Sequence, residues 1–268
     1  MAKVNSSIAF TGTLNNLSFY TRSDVEGVFV RYKGGPTRKM IKTKKQFDIT
    51  RRINAEFGGR ATTTKHIMRA LWPLKTLGDY NIAGPLNALL KPIQALDTKS
   101  EYGQRSVCLS ENQKLLEGFN LNRKTPFDAI MRSPVAFTLS KDSLSASVTI
   151  PDLMPGLNFF APPVTHPLFR FVISGGVIPD LFFTENGYKP AKGYDGFHAA
   201  SVSTPWHPVV KGSPETTLQL DLKHEAMKLP GMAYSVLLAI GISFGTIGEG
   251  EKPVPVKYAG AAKVLAMR

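Results

Sequence analysis

The chain has 268 residues, is 43% hydrophobic and carries a formal charge of +13. It is long and apolar enough to bury a real core, so a disordered chain is excluded as the default. A single cysteine, Cys108, excludes an internal disulfide framework and any Cys-rich zinc site. The charge is unevenly placed: residues 1–75 hold 15 Lys or Arg against four acids, and the remainder 18 against 16. The basic character therefore belongs to the N-terminal quarter, as expected of a surface that meets nucleic acid, an anionic surface or an acidic neighbour.

Taken in chain order, the first segment predicts a β-meander. Ser7 to Leu14 and Leu17 to Thr21 flank Asn15-Asn16, a pair that tolerates the positive φ of a tight hairpin turn, and Val28 to Tyr32 follows after a second turn. Ile8, Phe10, Leu17, Phe19, Val28, Val30 and Tyr32 supply its alternating apolar positions. So few strands cannot bury a face unaided, which makes these residues candidate assembly strands.

After Lys33-Gly34-Gly35-Pro36 the pattern turns helical. Phe47, Ile53 and Phe57 share a face, Gly58-Gly59 is expected to close that helix, and a second is expected to start at Thr62-Thr63-Thr64 and to end or bend at Pro73. Ile82 to Leu96 is a third candidate helix, its regularity limited by Pro85 and Pro92, and short helices are expected at Ser110 and Thr125. From Ser133 the period becomes extended. The runs are Val135 to Leu139, Leu144 to Ile150, Leu168 to Ile173, Phe197 to Val202, Thr216 to Leu222, Tyr234 to Phe244 and Val254 to Val264. Seven strands between Gly, Pro and Asn turns predict an antiparallel immunoglobulin-like β-sandwich. The expected class is α+β, with a hairpin and basic helical region over 1–132 and the sandwich over 133–268.

Gly241-Ile242-Ser243-Phe244-Gly245 matches the pattern of a nucleophile elbow, which needs a strand, a sharp turn, a helix, and then an acid and a histidine downstream. The last histidine, His224, precedes the serine, and Gly248, Gly250, Pro253 and Pro255 preclude a helix. The five histidines lack metal-ligand spacing, and Pro36 removes a donor that a phosphate cradle at Gly34-Gly35 would use. No catalytic residue, cofactor or metal is expected.

The basic segment supplies the candidate anion-binding residues Lys33, Arg38, Lys39, Lys42, Lys44, Lys45, Arg51 and Arg52. Eight cations in 20 residues suffice for salt-dependent phosphate binding, but only Phe47 lies among them where a single-strand binder would interleave aromatic platforms. The N-terminus has no apolar signal region, and the most apolar run, Met232 to Phe244, is shorter than the ~20 residues of a membrane span. Synthesis in the cytoplasm is expected, with an extracellular or particle-associated final location left open.

Leu17-Ser18-Phe19-Tyr20, Val28 to Arg31, Lys33-Gly34-Gly35, Ile41-Lys42-Thr43 and Thr50 to Gly58 together resemble the opening of uncharacterised Bacteroidota proteins of similar length. The likeness covers roughly residues 10–100. It implies a hairpin, a basic helical segment and a β-rich half, and no known activity. The reading that follows is a non-enzymatic structural subunit that self-assembles into a filament, tube, sheath or phage-like particle. Its alternatives are a nucleic-acid-binding protein using residues 33–52 and a surface ligand-binding β-sandwich.

Overall fold

The computed structural model describes residues 2–4, 10–162, 166–194, 196, 198–223, 229 and 231–268. It forms two compact units, Met1–Arg51 and Arg52–Arg268. The first unit is a four-stranded antiparallel sheet of β1 (Ala2–Val4), β2 (Gly12–Leu14), β3 (Leu17–Thr21) and β4 (Val28–Tyr32), in the order β1-β4-β3-β2. Asn15 takes the positive φ (50°) that the β2–β3 turn requires. A short helix α1 (Arg38–Thr43) follows, with the Thr37 hydroxyl accepting from the Met40 amide at 3.2 Å. Ile8 lies outside the described residues.

Helix α2 (Asp48–Ala70) begins at the end of this unit and runs unbroken for 23 residues, so the expected stop at Gly58-Gly59 does not occur. A Cβ at Gly59 would stand 2.7 Å from the ring of Tyr188, whereas nothing lies within 4 Å of Gly58. Gly59 is there for close packing, and the three threonines after it continue the helix. The chain then tightens into a 3-10 segment at Trp72–Leu77, with Pro73 at its start, before α3 (Ala83–Ala95). Two further 3-10 turns (Leu109–Glu111 and Gln113–Leu116) and a one-turn helix α4 (Phe127–Ile130) lead to the strands.

In the second unit, β5 (Ala136–Ser140) and β6 (Ser145–Ile150) form one antiparallel sheet with a later strand. Next come β7 (Leu168–Pro179), the hairpin β8 (Leu181–Thr184) and β9 (Gly187–Pro190), β10 (Ala199–Ser203), the two-residue β11 (His207–Pro208), β12 (Thr216–Asp221), β13 (Tyr234–Ile247) and β14 (Pro253–Met267). The smaller sheet has order β12-β6-β5; the larger has order β10-β7-β13-β14, with β11 pairing to β7. The chain is therefore α+β with antiparallel sheets. Of the strand runs expected from sequence, Phe197 lies outside the described residues. The β8–β9 hairpin was not anticipated, although Asn186-Gly187 is a hairpin-turn pair.

Strand β13 is buried on both sides from Tyr234 to Gly245, and alternation assigns its side chains to two different cores. Val236, Leu238, Ile240, Ile242 and Phe244 face the smaller sheet, sharing a core with Val148, Ile150, Leu218 and Leu220. Leu237 and Ala239 face the helices, joining Ile67, Leu71, Leu74, Leu86 and Leu90. At the middle of this second face several residues are small, Ser174 and Gly176 on β7, Ala239 and Gly241 on β13, and Ala262 on β14, with Val172, Ile178, Leu237 and Val264 around them. Ser174 donates its hydroxyl proton to the Ala70 carbonyl at 2.6 Å, and a Cβ at Gly176 would come within 2.7 Å of that of Ala70. Small residues on the sheet thus let the helix layer approach closely. The expected boundary at 132/133 falls inside this unit, because α3 and the end of α2 share a core with β7, β13 and β14.

Candidate functional site

The first unit brings the predicted assembly residues together on one face. Register places Leu17 opposite Tyr32, Phe19 opposite Val30 and Leu14 opposite Leu17, so these side chains share one side of the sheet with Val28. Phe10 lies against Phe19, with ring centroids 4.5 Å apart. The opposite side carries Tyr20 and Phe29, and each meets a guanidinium: Arg31 is 5.3 Å from the Tyr20 ring and Arg22 5.7 Å from the Phe29 ring. Arg22 also pairs with Asp24, which raises the guanidinium pKa and lowers that of the carboxyl.

The apolar side is exposed in part. Leu14 is 57% exposed, Phe10 46% and Tyr32 80%, whereas Leu17, Phe19 and Val30 are half-buried and Val28 is buried. Among the described residues, the exposed apolar surface of this side is therefore its Phe10, Leu14 and Tyr32 rim.

The eight predicted anion-binding residues divide into two groups. Lys33, Arg38, Lys39, Lys42, Lys44 and Lys45 are exposed in the first unit. Arg51 is instead part of the scaffold: its guanidinium donates to the Ile41 and Lys44 carbonyls at 2.8 and 2.9 Å and to Asp48 at 3.2 Å. In the second unit Arg52 donates to the Tyr102 carbonyl at 3.2 Å. Clustering in sequence did not distinguish the solvated cations from these two.

A buried polar network in the second unit also lay beyond sequence reasoning, because its members are far apart in the chain. Glu56, 3% exposed, accepts two hydrogen bonds from Arg105 at 2.6 and 2.7 Å and one from the Gly103 amide at 2.9 Å. Burial alone would raise its carboxyl pKa, but Arg105 and the Gly103 amide hold it below the ordinary range. Arg60 donates to Asn87 and Gln94, while Gln94 and Tyr188 both donate to the Arg105 carbonyl. This network ties α2, α3 and β9 together and leaves no open coordination or nucleophile.

The remaining reactive residue types are embedded in the fold. Ser243 lies within β13, 4% exposed and paired in register with Arg170 and Gly260, with no strand-to-helix turn after it. Burial drives the Cys108 thiol up to about 12, so it stays protonated at neutral pH. Burial, with the neighbouring Arg69 and Lys65, lowers His66 to about 4. His224 lies outside the described residues. Among the described residues no helix is long and apolar enough to cross a membrane.

One concave surface was not anticipated: a groove of about 670 Å³ between α2 and α3, bordered by Phe57 and Trp72. The sequence pointer to it was Phe57 on α2 and Trp72 just after it, aromatics off the face that Ile67, Ala70 and Leu71 already fill. Compared with known proteins, the chain matches no family model, no curated protein and no solved structure.

Proposed function

We propose that this chain is a non-enzymatic structural subunit that self-assembles into a filament, tube, sheath or phage-like particle. The observation that carries the reading is the exposed apolar rim of Phe10, Leu14 and Tyr32 on one side of the first unit's sheet. Contiguous apolar surface of this kind marks interaction sites on soluble domains, and the sheet's outer strands offer backbone donors and acceptors to a neighbour. A second copy brings the same strands and edges, so the chain itself is the occupant we assign. The rigid body of the subunit is the second unit, whose three strands packed on a larger antiparallel sheet support the immunoglobulin-like description in general design. The N-terminal motifs support a Bacteroidota lineage.

The test is a concentration series of the purified chain, followed by sedimentation velocity and negative-stain microscopy, beside a variant beginning at Gly35. The full chain is expected to form ordered polymers, and the variant to stay soluble, keep the cooperative unfolding of its β-rich half and lose higher-order assembly. A full chain that stays monomeric throughout, or a truncated chain that assembles normally, overturns the reading.

The six exposed cations of the first unit favour a second reading, nucleic-acid binding. That reading requires stoichiometric nucleic acid in the purified protein at moderate salt, and an affinity that falls steeply as salt rises.

A further inference from the structure

The groove between α2 and α3 has the composition of an interface. Its floor is apolar and built from Met68 and the small residues Ala61, Gly84 and Ala88, and its ends carry the exposed rings of Phe57 and Trp72, 55% and 64% exposed. Lys65 and Arg69 on α2 and Lys91 on α3 stand along it, and no Asp or Glu lines it. Aromatic and Met anchors beside Arg, over a floor that a partner can approach closely, are what recognition surfaces select. The groove therefore calls for an occupant that is apolar, compact and negatively charged.

The second unit carries such a feature. The β13–β14 ladder continues to the pairs Thr246 with Val254 and Ile247 with Pro253, then closes in a turn held by the Gly248 amide donating to the Lys252 carbonyl at 2.9 Å. Gly250 and Glu251 take positive φ values of 70° and 60°, which make the turn tight. The resulting tip is convex and exposes an apolar side chain on each face, Ile247 (59%) beside Pro253 on one and Val254 (46%) beside Thr246 on the other. Glu249 and Glu251 stand exposed between them, beside the single cation Lys252. Pro253 and Pro255 remove backbone donors from β14, the outermost strand of its sheet, so the tip is shielded against strand addition there and presents side chains instead. No residue of this tip lines the groove of its own chain.

We propose that the acidic tip of the β13–β14 hairpin of one copy seats in the α2–α3 groove of the next. This rests on the self-assembly reading and names a contact within it. Ile247 and its cross-strand neighbour Pro253, which share a face, fill the apolar floor between Phe57 and Trp72, and Glu249 and Glu251 meet Lys65, Arg69 and Lys91. A convex acidic patch and a concave basic one are different surfaces, so the contact is head-to-tail and a joined pair keeps one groove and one tip unfilled. Together with the contact through the first unit's sheet, it extends into a closed ring or an open polymer.

The test is charge reversal on both sides of the contact in the full-length chain: Glu249→Lys with Glu251→Lys for the tip, and Lys65→Glu with Lys91→Glu for the groove. All four residues are exposed, and circular dichroism with urea unfolding verifies that each variant folds. Each variant alone is expected to need at least roughly tenfold more protein to assemble than the natural chain, since facing like charges oppose association. Mixed one to one, the variants are expected to assemble again, because the basic tip of one now matches the acidic groove of the other. Assembly of either variant at the natural concentration, or a mixture that stays dispersed, overturns the tip-to-groove contact and leaves the self-assembly reading standing. A natural chain that never assembles overturns both.

Discussion

Gly58 and Gly59 are adjacent in α2, yet replacing each with alanine is expected to change stability in opposite directions. On helix propensity alone both changes stabilise, by about 1 kcal/mol each. Nothing lies within 4 Å of a Cβ at Gly58, so Gly58→Ala should realise that gain. A Cβ at Gly59 meets three atoms of the Tyr188 ring at 2.7 to 2.9 Å, so the ring has to retreat by about 1 Å to reach ordinary contact. It is poorly free to do so. Its hydroxyl donates to the Arg105 carbonyl at 2.8 Å and accepts from Gln94 at 3.2 Å, and Gln94 is fully buried between Arg60 and Arg105. Overpacking costs about 1–3 kcal/mol and each weakened hydrogen bond about 1 kcal/mol. Set against the propensity gain, Gly59→Ala is expected to destabilise by about 2 kcal/mol.

Thermal and urea unfolding followed by circular dichroism measure both variants. Gly58→Ala should raise Tm by about 2–4 °C and Gly59→Ala should lower it by about 4–8 °C. Tyr188→Ala removes the obstructing ring, so in that background Gly59→Ala should become neutral or stabilising; the difference is the coupling between the two positions. If Gly59→Ala stabilises the natural chain as Gly58→Ala does, then Tyr188 does not pack against this helix as described, and the account of why α2 carries two glycines fails.

Two further expectations concern the same unit. His66 is held neutral, down at about 4, so protonation favours the unfolded chain; the stability it contributes is complete above its ordinary value of 6.5 and is lost as pH falls toward 4. Glu56 acts in the same direction, its lowered carboxyl contributing stability above the ordinary carboxylate range that is lost as pH falls through its folded value. Unfolding midpoints should therefore drop between pH 7 and 4.5 by an amount that His66→Gln reduces by about 2 kcal/mol; an unchanged pH profile in that variant would show that His66 is not the titrating group. Gly241→Val drives a branched side chain into Leu74 and Leu77, which stand 2.8 and 2.7 Å from its Cβ position, and should cost about 2–3 kcal/mol in urea unfolding; a neutral result would mean that the helix layer can move off β13.

Periodicity made much of this fold legible. The alternation of Ala146, Val148 and Ile150 is the buried face of β6, with Leu144 buried in the turn before it, and Asn15-Asn16 is the turn between β2 and β3. Ile82 to Leu96 reads as the helix that α3 forms, Pro92 included. What periodicity does not carry is the layer a face meets. Gly58-Gly59 has the chemistry of a helix end, and only Tyr188, more than a hundred residues later, shows that one of the two glycines answers to a ring. The same limit governs the candidate sites. The alternating residues of β3 and β4 were visible because neighbours in the chain are neighbours in a hairpin. The groove joins α2 to α3 through residues whose spacing is only that of an amphipathic helix, and the roles of Arg51 and Arg52 depend on carbonyls that no composition count reveals.

Gly241-Ile242-Ser243-Phe244-Gly245 shows how one string of residues can satisfy two physical demands. A nucleophile elbow uses glycines because a sharp turn crowds the backbone around an exposed serine. A central strand between two layers uses small residues because a helix must come close on one face, while alternating large residues fill the core on the other. In β13 the second demand operates. Ile242 and Phe244 fill the core beside Phe159 and Phe169, and Gly241 leaves room for Leu74 and Leu77. Gly245 makes room for Trp206, whose ring would lie 2.5 Å from its Cβ. Each glycine answers to a bulky side chain opposite it, and Ser243 keeps the alternation small on the face where Ala239 and Gly241 also stand. The pattern belongs to the packing of a strand buried on both sides, and the same strand, once past Gly245, emerges into solvent as one arm of the acidic tip.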